Sequence, residues 1–140
     1  MIFIDTGAFL ARYFSHDQYH NNARAIWKKL RSSHESCFTS NFVLDETITL
    51  LGRRAGYDFA FQRAKNIYAS RALTIFRPDK KDELRALDYF GKYADQHISF
   101  TDCISFVLMR REKINRVFSF DRHFEMAGFE KVPRRLCYQL

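Results

Sequence analysis

From Cys103 to Met109 the chain carries a single polar side chain, Ser105. A helix built from that run is apolar almost all round, so it must be buried on most sides instead of lying on a surface. Its entrance carries a carboxylate, Asp102, preceded by Ser99-Phe100-Thr101. A charge beside so much apolar surface is costly unless something pairs with it, and no Lys or Arg lies nearer in sequence than Arg110. Either Thr101 or Asp102 caps the helix and interacts with its dipole, or a distant base or a metal ion answers the charge.

The rest of the chain supplies the layers that such a helix needs. Met1 to Ile4 is a short, continuous apolar run, as expected of a strand covered on both faces, and it ends at Asp5. Thr6-Gly7 turns into a helix over Ala8 to Phe14. Asp17 is a candidate cap for a second helix running to about Arg31, with Ala23, Ile26, Trp27 and Leu30 as its apolar stripe. Cys37 to Ser40 reads as a second strand. Asn41 then caps a helix reaching Gly56, with Val43, Leu44, Ile48 and Leu51 apolar. Tyr57 to Ser70 is a helix with Ala60, Phe61, Ala64, Ile67 and Tyr68 on one side. Leu73 to Phe76 is a third strand. Asp79 to Ala94 reads as an amphipathic helix that buries Leu84, Leu87 and Phe90 and leaves Lys80, Lys81, Asp82, Glu83 and Asp88 solvated. Beyond the opening helix, Arg116 to Phe120 is a fourth strand closed by Asp121. Arg122 to Ala127 is a short helix stopped by Gly128, and Phe129 to Val132 an edge strand before Pro133.

Alternation of this kind predicts an α/β fold with a parallel sheet of about four to five strands, right-handed crossovers and helices on both faces. The 140 residues, 46% hydrophobic with 15 Phe, predict one domain spanning 1–140. Cys37, Cys103 and Cys137 are widely spaced, with no CxxC, and read as reduced core residues. The start lacks a basic segment and no apolar run approaches about 18 residues, so no membrane span is expected and a cytoplasmic location is. Lys and Arg outnumber Asp and Glu by 23 to 16, a net charge of +7, which favours a polyanionic partner or simply keeps the surface soluble.

In parallel α/β sheets ligands bind at the carboxyl ends of the strands. Asp5 and Asp121 close strands there, while Asp102 and one of the adjacent acids Asp45 and Glu46 lie in early turns of helices leaving the same edge. Asp45 and Glu46 point about 100° apart, and periodicity does not choose between them. If the strands ending at Asp5 and Asp121 are neighbours, four like charges converge and require raised pKa values or a divalent cation. An oxygen-rich site of this kind suits Mg²⁺ or Mn²⁺, and no His or Cys cluster calls for zinc. His16 and His20, four apart, lack a third ligand.

The motifs Ile4-Asp5-Thr6-Gly7-Ala8, Thr39-Ser40 followed by Glu46, Ser99-Phe100-Thr101-Asp102, and Phe118-Ser119-Phe120-Asp121-Arg122-His123-Phe124 resemble those of the PIN domain family, and within it the VapC-type toxin ribonucleases of bacterial toxin–antitoxin pairs. The resemblance covers the whole chain and selects Glu46 over Asp45. It implies that Asp5, Glu46, Asp102 and Asp121 hold one or two Mg²⁺ or Mn²⁺ ions and cut RNA, leaving a 3′ hydroxyl and a 5′ phosphate, with Thr6, Thr101 and Ser119 as hydroxyl partners of the acids. It further implies a homodimer and an antitoxin whose helix lies in an apolar groove, to which Tyr57, Phe59 and Phe61 could contribute. Arg12, Arg53, Arg54 and Arg122 are candidates for holding the RNA backbone. The rival readings are an RNA-binding or protein-interaction module with a structural cation, and a haloacid-dehalogenase-like phosphatase. The latter needs a second Asp where this chain has Gly7.

Overall fold

The computed structural model describes residues 1–134. Five strands, β1 (Ile2–Ile4), β2 (Cys37–Ser40), β3 (Leu73–Phe76), β4 (Arg116–Phe118) and β5 (Glu130–Val132), form one sheet in the order β3-β2-β1-β4-β5. Every pairing is parallel. The chain moves outward from β1 to β3 and then returns past β1 to β4. With right-handed crossovers, that reversal places the helices of the two halves on opposite faces. α1 (Thr6–Tyr13), α2 (His20–Ser32), α3 (Asn41–Ala55) and α4 (Tyr57–Ala69) pack in sequence, α1 on α2 and α3 and α3 on α4. α5 (Lys80–Lys92), α6 (Phe100–Arg111) and α7 (His123–Met126) form the second group, in which α6 packs on both others.

Both β1 and α6 are enclosed, as their composition demands. Every residue of β1 is buried, and so is every residue of α6 from Asp102 to Met109. Around α6, Phe106 packs edge-on against Phe124 of α7, at 5.1 Å between ring centroids, and stacks on Phe129 at 5.7 Å. Cys37 and Cys103 are buried free thiols, and Cys137 lies outside the described residues. No helix among the described residues is long and apolar enough to cross a membrane.

Several local expectations are corrected. Ser40, not Asn41, caps α3, its hydroxyl accepting from Val43 N at 3.1 Å, and Ser99 caps α6 by accepting from Asp102 N at 3.0 Å. Asp17 lies before α2 and accepts from Tyr19 N. β4 stops at Phe118, so Asp121 stands three residues beyond its strand. α5 presents the opposite face from the one expected. Its buried residues are Asp82 and Ala86, and Leu84, Leu87 and Phe90 are exposed. The inward stripe runs through Asp82, Ala86, Tyr89 and Tyr93, where the small Ala86 admits close approach, and Tyr89 lies edge-on to Phe106 of α6. On α4, Ala60 and Ile67 are buried while Phe61 and Tyr68 are exposed. Phe59 packs in Phe61's place against the cluster of Leu10, Leu51 and Ala60.

Candidate metal centre

β1 and β4 are adjacent, with Phe3 opposite Val117 and Ile4 opposite Phe118. The chain leaves both at the same edge, where the strand order reverses direction, a place where α/β sheets open a ligand crevice. Asp5 N donates to Phe118 O at 3.0 Å, so Asp5 is held at the mouth of the strand pair. Ser119 ties the two chain segments together: its hydroxyl donates to Asp5 Oδ2 at 2.8 Å and accepts from Asp121 N at 3.0 Å. Asp121 Oδ1 in turn accepts from His123 N at 2.9 Å. One hydroxyl and one tight turn thus fix two acids that are more than a hundred residues apart in sequence. Asp102 enters from the third position of α6, held by the Ser99 cap.

These acids perturb one another. The Asp5 carboxyl is raised well above the usual range, first by burial and then by the charge of Asp102, with a smaller effect from Asp121. Hydrogen bonds from Ser119 and from the Thr6 backbone oppose the shift. Asp102 is pushed up to about 7 by burial, then by Asp121 and Glu46, against hydrogen bonding to Ser99. The charge of half-buried Glu46 therefore reaches Asp102, whereas Asp45 is exposed. No Lys or Arg among the described residues forms an ion pair with Asp5, Glu46, Asp102 or Asp121. Burial of several carboxylates without a basic partner is unfavourable, and a carboxylate set of this kind fits a divalent cation.

Of the three hydroxyls expected to support the acids, Ser119 is the one bonded to a carboxylate among the described residues. Thr6 Oγ1 is buried without a partner, and the Thr101 side chain makes no hydrogen bond there to an acid. His123 is the group that the sequence reading passed over. Its Nδ1 lies 3.0 Å from Asp121 Oδ1 and 3.7 Å from Asp102 Oδ2. Its position two residues after Asp121, within one turn, is the signal that was available. Asp102, Asp121 and His123 each place one possible ligand atom within 4.8 Å of the others.

The comparisons with known proteins agree on the family. The family model described as "PIN domain" matches residues 2–130. The chain belongs to the PIN domain family. A curated relative, the 23S rRNA-specific endonuclease VapC20 of Mycobacterium tuberculosis, is 35% identical over 135 residues, covering 94% of this chain and 98% of the relative. A VapC ribonuclease of Archaeoglobus fulgidus is 30% identical over 132 residues, covering 88% and 78%. The crystal structure of Mycobacterium tuberculosis VapC20, described as a sarcin–ricin loop cleaving toxin, superposes with a TM-score of 0.81 at 33% identity, covering 92% of this chain and 96% of that one.

The basic candidates occupy different places in this PIN domain. Arg122 is exposed and follows Asp121 directly. Arg12 sits in the last turn of α1 and Arg53 and Arg54 in the last turn of α3, seven or more residues beyond Asp5 and Glu46 and so about 10 Å further along their helices. Arg12 lies over the Trp27 ring at 4.8 Å and Arg54 over Phe14 at 5.8 Å.

Proposed function

We propose that this PIN domain is a metal-dependent endoribonuclease and the toxin of a type II toxin–antitoxin pair, with Asp5, Glu46, Asp102 and Asp121 as its metal-binding and catalytic residues and residues 1–140 acting as one nuclease domain. The observation that carries the reading is the meeting of Asp5, Asp102 and Asp121 at the strand ends with no Lys or Arg partner among the described residues. The relatives, whose names specify RNA cleavage, support it over nearly the full chain.

Mg²⁺ or Mn²⁺ bound by these acids would polarise a phosphodiester and lower the pKa of an attacking water. The protein's own part is positioning. Ser119 holds Asp5 and the Asp121 backbone in one network, the Ser99 cap sets the first turn that carries Asp102, and α3 supplies Glu46, whose charge reaches Asp102. Exposed Arg122 stands where a phosphate can be held beside the acids, and Arg12, Arg53 and Arg54 extend the basic surface away from them. The products are RNA ends with a 3′ hydroxyl and a 5′ phosphate.

The first substrate to test is the sarcin–ricin loop of 23S rRNA, the target named for the relative. The partners of this reading are RNA, an antitoxin helix and a second copy of the chain, in the cytoplasm. Exposed Tyr57 and Phe61 of α4 support the docking of an apolar helix face. The deciding experiment incubates purified protein with 23S rRNA and with unrelated single-stranded RNA in Mg²⁺, Mn²⁺ or EDTA. Cleavage that needs the ion and is lost in Asp5→Asn is expected. Binding without cleavage in every condition leaves an RNA-binding module with a structural cation.

A further inference from the structure

One largely buried group beside the acids, His123, has no part in the reaction described above. His123 opens α7, and its side chain is 14% exposed. Its Nε2 lies 3.1 Å from Gln96 O. A carbonyl oxygen only accepts, so Nε2 carries a proton and donates it. Nδ1, on the other side of the ring, is buried against Asp121 and Asp102, yet neither approach has hydrogen-bond geometry and the atom has no partner. A buried ring nitrogen without a hydrogen-bond partner, beside two carboxylates that have no Lys or Arg partner among the described residues, is costly as it stands.

We propose that Nδ1 of His123 is a ligand to the divalent cation held by Asp102 and Asp121, so that the centre is a mixed nitrogen and oxygen site that favours Mn²⁺ over Mg²⁺ more than carboxylates alone would. The inference rests on the metal-dependent reading above. Around a six-coordinate ion with ligands at about 2.1 Å, adjacent ligand atoms stand about 3.0 Å apart and opposite ones about 4.2 Å. The separations of 3.0 and 3.7 Å from Nδ1 to the two carboxylates fall in that range, and the whole group lies within 4.8 Å, slightly wider than the range, so a small contraction accompanies binding. A histidine that binds a metal through one nitrogen commonly donates the other N–H to a backbone carbonyl, which fixes the tautomer and the ring plane. Gln96 O does this for His123. The His123 backbone also donates to Asp121 Oδ1, so the two ligands are locked to each other. An imidazole nitrogen is a softer donor than a carboxylate oxygen, and Mg²⁺ gains least from it.

The test uses Mn²⁺ itself as the probe. Pulsed EPR of the purified full chain loaded with Mn²⁺ should show ¹⁴N modulation from a directly bound ring nitrogen. That signal should convert to the ¹⁵N pattern in protein made with ¹⁵N-histidine, and disappear in His123→Gln. Calorimetric titration should show Mn²⁺ affinity falling at least about tenfold in His123→Gln, with Mg²⁺ affinity falling less. Wild-type protein whose bound Mn²⁺ shows no nitrogen coupling overturns the ligation while leaving metal-dependent RNA cleavage standing. The wild-type spectrum decides this alone, so a variant that folds poorly does not protect the proposal. If Asp102→Asn binds Mn²⁺ as wild type does and EDTA leaves RNA cleavage intact, the metal-dependent reading fails and this inference fails with it.

Discussion

Asp82 and Asp102 are each the third residue of a helix, each buried, and each with its backbone N–H taken by a cap, Asp79 in one case and Ser99 in the other. What their side chains meet differs. Asp82 bonds back to Asp79 N to complete a capping box and receives Arg111 from α6. Asp102 has no Lys or Arg partner among the described residues and faces the charges of Asp121 and Glu46. The same residue at the same helical position is therefore a structural joint in α5 and a candidate ligand in α6. Burial does not separate the two roles; the identity of the neighbours does.

The strongest way to break this comparison is to neutralise both acids in turn. Asp102→Asn should lower RNA cleavage by more than about 100-fold, beyond what loss of a residue that merely orients a ligand costs, whereas Asp82→Asn should leave cleavage per folded molecule unchanged. Gel-based cleavage rates normalised to folded protein check it, with exposed Asp45→Asn as the silent control. If Asp82→Asn proves equally inactive, the division of roles is wrong.

The burial of Asp102 should also make folding stability depend on pH. Below about pH 4 the Asp102 carboxyl is protonated in both folded and unfolded chains. Between that point and about 7 the folded chain keeps a proton that the unfolded chain has released. Stability in EDTA should therefore fall as pH rises through this window, by on the order of a few kcal/mol, and level off above it. Asp5, raised in the same direction, adds to the loss. Denaturant midpoints across the pH range measure this, and a shallower profile in Asp102→Asn attributes the difference to that residue and the remainder to Asp5.

Cation binding should reverse the penalty. Wild type gains RT ln(1 + [M]/Kd), about 2.7 kcal/mol at a hundredfold excess of Mn²⁺ over Kd, and Asp102→Asn gains much less. By contrast, Asp82→Ala should cost about 1–3 kcal/mol with or without the ion, because it removes half of the capping box and the buried carboxylate that Arg111 pairs with. Thermal unfolding across a metal titration distinguishes the two. The reading of Asp102 is lost if its Asn variant is the less stable one in EDTA and responds to metal like wild type.

The smallest effect concerns the RNA path. Arg122→Gln should reduce the salt dependence of RNA binding by a slope of roughly 0.7, one phosphate contact on a single strand, and Arg53→Gln with Arg54→Gln by about twice that. If the double variant leaves the slope unchanged, the path is confined to the strand ends near Arg122.

Much of this arrangement was legible because it is local. The apolar run of β1, the all-round apolar surface of α6, and the acids that close or begin elements are properties of neighbouring residues, set by hydrophobic periodicity and by the cost of burying charge. Helices on both faces then followed from the right-handed crossover, whereas the strand order, with β1 beside β4, came from the structure. The sequence by itself did not choose Glu46 over Asp45; that selection came from family resemblance, and in the structure Glu46 is half-buried while Asp45 is exposed.

What only the tertiary structure decided is which side chains meet. Leu84, Leu87 and Phe90 form a helical stripe as regular as the one through Asp82, Ala86 and Tyr89. The second stripe faces inward because Arg111 reaches Asp82 and the small Ala86 admits α6, two conditions supplied by another helix. Likewise, Ser119 bonds Asp5 across 114 residues, and His123 closes on Asp102 and Asp121 only because β4 pairs with β1 and α6 begins beside them. The sequence determined that several carboxylates would share one sheet edge. Tertiary contact alone determined that, among the described residues, no Lys or Arg pairs with them and that the His123 ring nitrogen lies beside two of them, since such contacts are short-range and depend on positions that chain periodicity does not carry.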